Sequence, residues 1–234
     1  MTTLRKGSKG EEVLILKGWL NALDTADYFG DETDEAVRFF QQTKGLKVDG
    51  IVGPETWKAL TGGIEPSGGA FSQPMDYKQY DSRWAKVMYS NHKDKSQTIK
   101  SSGCGPTSMA DIVATVKDKN ITPVEMAEFS LKKGCRTDNS GTAWSFFPKV
   151  ADEYGFSRYK KCTSLADLKD CLSTGGYIVA SMGKGYWTSG GHYICVWKYD
   201  DTYIYANDPA SSTRKKQKIS DFMSQRKAFF CFWA

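Results

Sequence analysis

Cys104 is the cysteine with a chemical setting. It sits in Ser101-Ser-Gly-Cys-Gly-Pro-Thr-Ser-Met-Ala110. Pro106 suits the first turn of a helix, and Met109, Ile112, Val113 and Val116 recur at spacings of three and four, which predicts a helix over 106–117. The cysteine then stands at or just before the helix N-terminus. Partial positive charge there favours thiolate, the nucleophilic form. Glycines on both sides let the chain turn sharply and let a substrate come close. The competing reading is a small residue packed at a helix start. The other cysteines, at 135, 162, 171, 195 and 231, form no CxxC pair, and Cys195 and Cys231 lie in apolar alternating runs that predict buried core thiols.

A cysteine nucleophile needs a general base, and histidine is the usual one. His192, in Ser189-Gly-Gly-His-Tyr-Ile-Cys-Val-Trp197, is expected to open a strand beside a glycine-rich loop and to project into a cleft. The alternative is a core histidine with its hydrogen bonds satisfied. His92, in a polar stretch, is expected on an exposed loop. Two histidines in the whole chain argue against a catalytic zinc, which usually takes two or three, so neither metal nor cofactor is expected. A third group must orient the imidazole. If 192–198 and 202–207 form a hairpin, Asp208 or Asn207 returns beside His192. Asp208-Pro209 also reads as a turn, and the two readings are compatible. Acyl transfer further needs donors for the oxyanion. The Cys104 N–H is one. For a side-chain donor the residues leave Gln79 and Gln97 open, Gln97 being nearer to Cys104 in sequence.

The elements that position these groups belong to an ordinary globular chain of 234 residues, 40% hydrophobic and 25% charged. No apolar run is long enough to span a membrane, so no membrane insertion is expected. Met1 to Gly10 is polar and basic with no apolar segment after it, which predicts no signal peptide and a cytoplasmic protein until something releases it; six cysteines would permit disulfides, but such a compartment is usually reducing. The net charge of +5 suits a polyanionic wall and neutral partners alike. The run Arg214-Lys-Lys-Gln-Lys218 and the group Arg158, Lys160 and Lys161 are expected as solvated faces, and no nucleic-acid motif accompanies them.

A Gly-, Ser- and Pro-rich stretch centred on Pro66 predicts a linker at 63–72 between a module at 1–62 and a larger domain at 73–234. In the module, Ser8-Lys-Gly-Glu11 reads as a capping box ahead of Val13, Leu16, Leu20 and Leu23. Further helices are expected from Asp31, with Ala36, Val37 and Phe40, and from Pro54, with Trp57 and Leu60. Gly30-x-Glu-Thr-x-x-Ala-Val37 and Gly53-x-Glu-Thr-x-x-Ala-Leu60 echo each other, as a helix-start signal used twice or as local pseudosymmetry. These residues, with Asp49-Gly-Ile-Val-Gly-Pro-Glu-Thr-Trp57, resemble the peptidoglycan-binding domain type 1 family over nearly all of 1–62. The resemblance implies a three-helix module that holds bacterial wall.

The larger domain predicts helices at 106–117, 123–133, 144–154 and 165–173, then strands at 177–182, 192–198, 202–207 and 228–233: an α+β fold with an antiparallel sheet. Gln79-Tyr-Asp-Ser-Arg-Trp84, Ser102-Gly-Cys-Gly-Pro-Thr-Ser108, Gly191-His-Tyr-Ile-Cys-Val196 and Asn207-Asp-Pro209 together resemble the C39-like, papain-like cysteine peptidases over 74–234. What the resemblance implies is Cys104 as nucleophile, His192 as base and then acid, Asp208 as orienter and Gln79 as oxyanion donor. Much of that group processes leader peptides beside an exporter. Here the neighbour is a wall-binding module, which points to peptidoglycan as partner and substrate and to an endolysin-like hydrolase of phage or bacterial origin. The alternatives are a peptidase of proteins or leader peptides, and a non-catalytic wall-binding protein.

Overall fold

The computed structural model describes residues 3–20, 26–60, 73–138 and 141–234. The chain divides into two compact units, Met1–Ser72 and Gln73–Ala234. The expected linker at 63–72 and Leu23 lie outside the described residues.

In the first unit α1 (Glu11–Trp19), α2 (Asp31–Thr43) and α3 (Pro54–Leu60) close over Val13, Leu16, Phe29, Val37 and Trp57. The expected Ser8–Glu11 capping box is not what starts α1, because Ser8 does not cap it. Gly10 precedes α1 and no side chain caps it. Ser8 is committed elsewhere: its hydroxyl accepts the Arg5 N–H at 3.0 Å, and its carbonyl accepts from Phe29. The Asp49-Gly50 turn is built around buried Gln41. The Gln41 carbonyl oxygen accepts from the N–H groups of Asp49 (3.1 Å) and Gly50 (2.9 Å), while its amide donates to the Ile51 carbonyl at 2.9 Å. Gly50 has φ 72°, a left-handed value that favours glycine. The most specific stretch of the module's sequence is therefore a turn held from inside.

The second unit begins with α4 (Ile99–Ser102), α5 (Cys104–Val116) and α6 (Pro123–Lys132). Thr122 and Glu125 form a capping box at the start of α6, and Gly134, at φ 64°, follows its end. A short hairpin of β1 (Arg136–Thr137) and β2 (Gly141–Thr142) leads into α7 (Phe146–Glu153). Next come β3 (Arg158–Cys162), α8 (Leu165–Ser173), β4 (Tyr177–Met182), β5 (His192–Tyr199), β6 (Tyr203–Asn207), β7 (Lys216–Lys218), α9 (Ile219–Gln225) and β8 (Arg226–Trp233). The larger sheet is antiparallel with order β3-β8-β4-β5-β6-β7, so the domain is α+β as expected. Sequence patterning misses α4, β1, β2, β3, β7 and α9. β3 and β7 are the two edges, and their lysines, which blunt an exposed strand edge, hide the strand signal.

Both faces of the sheet are covered, and all six residues of β4 are buried. On one face Leu168, Cys171 and Leu172 of α8 and Phe222 of α9 join Ile178, Ile194 and Cys231. On the other, Phe147 of α7 stacks on Phe230 at 4.1 Å. Alternation along β8 sends Phe229 and Cys231 one way and Phe230 and Phe232 the other. Each such aromatic contributes about 2 kcal/mol on full burial. Rigid packing on both faces is what holds β5 and β6 beside the helix that carries Cys104.

Candidate active site

Cys104 is the first residue of α5, two residues earlier than the periodicity predicts, directly after Gly103. Its thiol is half-buried. Burial pushes the thiol pKa up, but a hydrogen bond and charge from His192 and the backbone N–H groups of Tyr193 and Gly105 outweigh it, so the net shift is downward. α5 is tied to β5 where Ser108 Oγ donates to the Tyr193 carbonyl at 3.1 Å. β5 is tied to β2 where Tyr193 Oη donates to the Thr142 carbonyl at 2.7 Å. Gly105 has a steric reason. A Cβ there would lie 2.8 Å from Thr142 Oγ1, an atom itself held by Tyr89 Oη at 2.8 Å. Gly105→Ala should lower stability by about 1–3 kcal/mol in urea unfolding; an unchanged midpoint would mean that the Thr142 wall gives freely.

The β5–β6 hairpin returns Asp208 to His192, with Nε2 2.7 Å from Oδ1. Asn207 is turned away, its amide donating to the carbonyls of Pro74 and Met75. With Nε2 on Asp208, the other ring nitrogen, Nδ1, is left for the thiol. Burial pulls the His192 pKa down, yet the hydrogen bonds to Asp208 and Cys104 raise it to about 9. For Asp208, burial raises the pKa, but His192, Arg214 and the Ala210 N–H bring it below the ordinary carboxylate range. Together these directions favour a thiolate–imidazolium pair over thiol and neutral imidazole, braced by a carboxylate with no solvent exposure.

Gln79 belongs to a segment that is fastened from several sides. Its N–H donates to the Pro209 carbonyl at 2.9 Å, and Tyr77 N–H donates to the buried Asp111 carboxyl of α5 at 2.7 Å. The Gln79 amide donates to the Lys100 carbonyl at 2.5 Å. In an unbroken helix that carbonyl would accept the N–H of Cys104, so Gln79 stands at the start of the nucleophile's helix. Gln97 lies on the cleft wall, with its carbonyl oxygen held by Ser102 Oγ (3.1 Å) and Arg136 Nη2 (3.0 Å).

Cys104 and His192 open into a cleft of about 470 Å³, walled by Ser102, Thr142, Trp144, Gly191 and Lys227. The loop at 183–191 reaches this cleft through Gly191. Trp187 is a packing anchor, buried, with its indole N–H on Gln217, while Tyr186 is exposed. His92 is exposed and pairs with Asp138, as its polar setting predicts. All six cysteines are free, and Cys195 and Cys231 are buried. The basic runs are not simply solvated. Lys161 lies over the Trp144 ring at 4.2 Å, Arg158 over Trp233 at 4.2 Å, and Arg214 on the Asp208 carboxylate. Sequence reading missed Arg214, Tyr89 and Arg136. Arg214 lies six residues beyond Asp208 in the loop that follows β6, and that proximity was the available signal.

Residues 84–233 match the model of the Peptidase_C39 like family, and residues 9–60 match that of a peptidoglycan binding domain. An uncharacterized protein in the bpoA1 3' region of Kitasatospora aureofaciens is 57% identical over 37 residues, which are 16% of this chain and 31% of that protein's length. The crystal structure of the peptidase domain of Streptococcus ComA, a bi-functional ABC transporter involved in a quorum sensing pathway, aligns at 19% identity with a TM-score of 0.42, covering 56% of this chain and 92% of that one.

Proposed function

Because the chain belongs to the Peptidase_C39 like family and carries a peptidoglycan binding domain ahead of the peptidase, we propose that it hydrolyses an amide bond in the peptide part of peptidoglycan, as an endolysin-like enzyme. The two domains make it a cell-wall-associated peptidase. The observation that carries the finer reading is His192, hydrogen-bonded to buried Asp208 and lining one open cleft with Cys104, which stands at the N-terminus of α5.

In this reading the Cys104 thiolate attacks the amide carbonyl. The oxyanion takes hydrogen bonds from the Cys104 N–H and the Gln79 amide. The C–N bond breaks as His192 gives its proton to the leaving amine, which leaves a thioester. Water then attacks the thioester, His192 takes the proton, and the carboxylic acid departs with the thiolate restored. Asp208 keeps the imidazole aligned throughout. Lys227 at the cleft wall suits the carboxylates of a wall peptide. The module at 1–62 would keep the enzyme on the polymer, and a covalent link to an adjacent domain raises the local concentration of substrate.

Mass spectrometry of the soluble products from purified peptidoglycan tests this. Glycan chains freed of peptide would mark an amidase, and sugar-linked peptides cut in the stem or bridge an endopeptidase. Release of nothing would sink the wall reading and leave a protein or leader peptide as the substrate to examine.

A further inference from the structure

The run Arg214 to Lys218 divides in the structure. Lys216 lies over the rings of Tyr203 and Tyr205 at the sheet edge. Arg214 turns the other way, with Nε 2.5 Å from Asp208 Oδ2. The opposite oxygen, Oδ1, accepts from His192 Nε2 (2.7 Å) and from the Ala210 N–H (2.8 Å). We propose that Arg214 is a positioning residue for the hydrolytic centre, which clamps the far oxygen of Asp208 so that the near one stays on His192. The proposal rests on reading Cys104, His192 and Asp208 as that centre.

The physical case has three parts. Asp208 is wholly buried, and a buried carboxylate oxygen without a donor is strongly unfavourable. Arg214 supplies the only side-chain donor that Oδ2 has among the described residues. A carboxylate bonded at one oxygen alone can turn about Cβ–Cγ, whereas one gripped at both oxygens cannot. The clamp is itself braced, because the Arg214 N–H donates to Ser211 Oγ (3.1 Å), and Ser211 bridges back to Asp208 through the backbone. Other charges border the same carboxylate. Lys78 donates to the Asp208 main-chain carbonyl (2.8 Å), and Asp76 bridges Lys78 and Lys215. The imidazole also faces Cys104, whose charge acts in turn on Arg136 and Tyr89. The guanidinium is a permanent cation, so removing it leaves the Asp208 charge uncompensated and makes both Cys104 and His192 hold their protons more tightly.

The test needs no wall substrate. Cys104 is alkylated with iodoacetamide across pH 4 to 10, and its peptide is quantified by mass spectrometry in wild type, Arg214→Gln and Arg214→Lys. Both steps of the rate profile should move up by roughly 0.5–1 pH unit in the glutamine variant, and lysine, which keeps the cation, should restore most of that shift. A purely structural role would lower the melting temperature of both variants without moving the steps. A glutamine profile that superimposes on wild type overturns the proposal. A wild-type profile with only the ordinary thiol titration overturns the underlying reading of the centre instead.

Discussion

If the proposed function holds, Cys104→Ala should abolish release of soluble fragments from peptidoglycan, by about 10⁴-fold or more, and leave sedimentation of the protein with the wall unchanged. The size of the effect follows from the chemistry. The thiolate forms the bond that the alternative, direct attack by water, would have to form unaided, and groups of a nucleophile–base unit lose most of their effect when one member is removed. The separation of binding from turnover follows from the two compact units, since the matched wall-binding residues lie in the first and Cys104 in the second. The substitution is sterically mild, because alanine keeps the first position of α5 and the packing of Gly105 on Thr142. Digestion and co-sedimentation of both proteins check it; fragments released at the wild-type rate would remove Cys104 from the mechanism.

Asp208→Asn should lower turnover near neutral pH by about tenfold or more and shift the alkaline limb of kcat/KM downward. Asparagine preserves shape and one hydrogen-bond acceptor for His192 but removes the charge. His192 is held at about 9 against burial because of its bonds to Asp208 and Cys104. Without the carboxylate, burial wins, the imidazolium loses its proton at lower pH, and the resting pair reverts toward thiol and neutral imidazole. In wild type, activity should therefore rise as Cys104 ionises on the acid side and fall as His192 deprotonates near pH 9. Stability carries the same signature. The His192 charge stabilises the fold fully below its unfolded pKa of about 6.5 and loses that contribution as pH rises through about 9. Asp208, shifted downward, contributes above the usual carboxylate range and loses it in acid. Melting temperatures across pH should show both slopes in wild type and a flatter alkaline slope in the variant. Identical pH–rate limbs in the two proteins would contradict this account.

Much of the architecture was legible because it rests on local signals. The Met109, Ile112, Val113 and Val116 stripe marks α5, Thr122 and Glu125 mark the start of α6, and the dense β-branched and aromatic runs mark β4, β5, β6 and β8. Where local signals misled, a different partner had claimed the residue. Ser8 looked like a helix cap and serves the Arg5–Ser8 turn instead. β3 looked like a lysine-rich surface and is the edge beside β8, because one strand neighbour is enough to recruit a polar segment that has no apolar alternation.

The same division runs through the site. Residue types and spacing alone singled out the cysteine before a helix, the histidine opening a strand, and an acid at the far end of the hairpin, because each depends on turn chemistry or on the short loop between β5 and β6. The choice between Asp208 and Asn207 was made only by the folded chain. Asn207 is occupied by the Pro74 and Met75 carbonyls, which arrive from more than a hundred residues away in sequence. The grip of Arg214 on Asp208, the placing of Gln79 at Lys100 and the wall that Thr142 sets against Gly105 were likewise decided by tertiary structure. Hydrogen bonds between distant segments leave no periodicity in the chain, and a basic run looks the same in sequence whether its arginine faces water or a buried carboxylate.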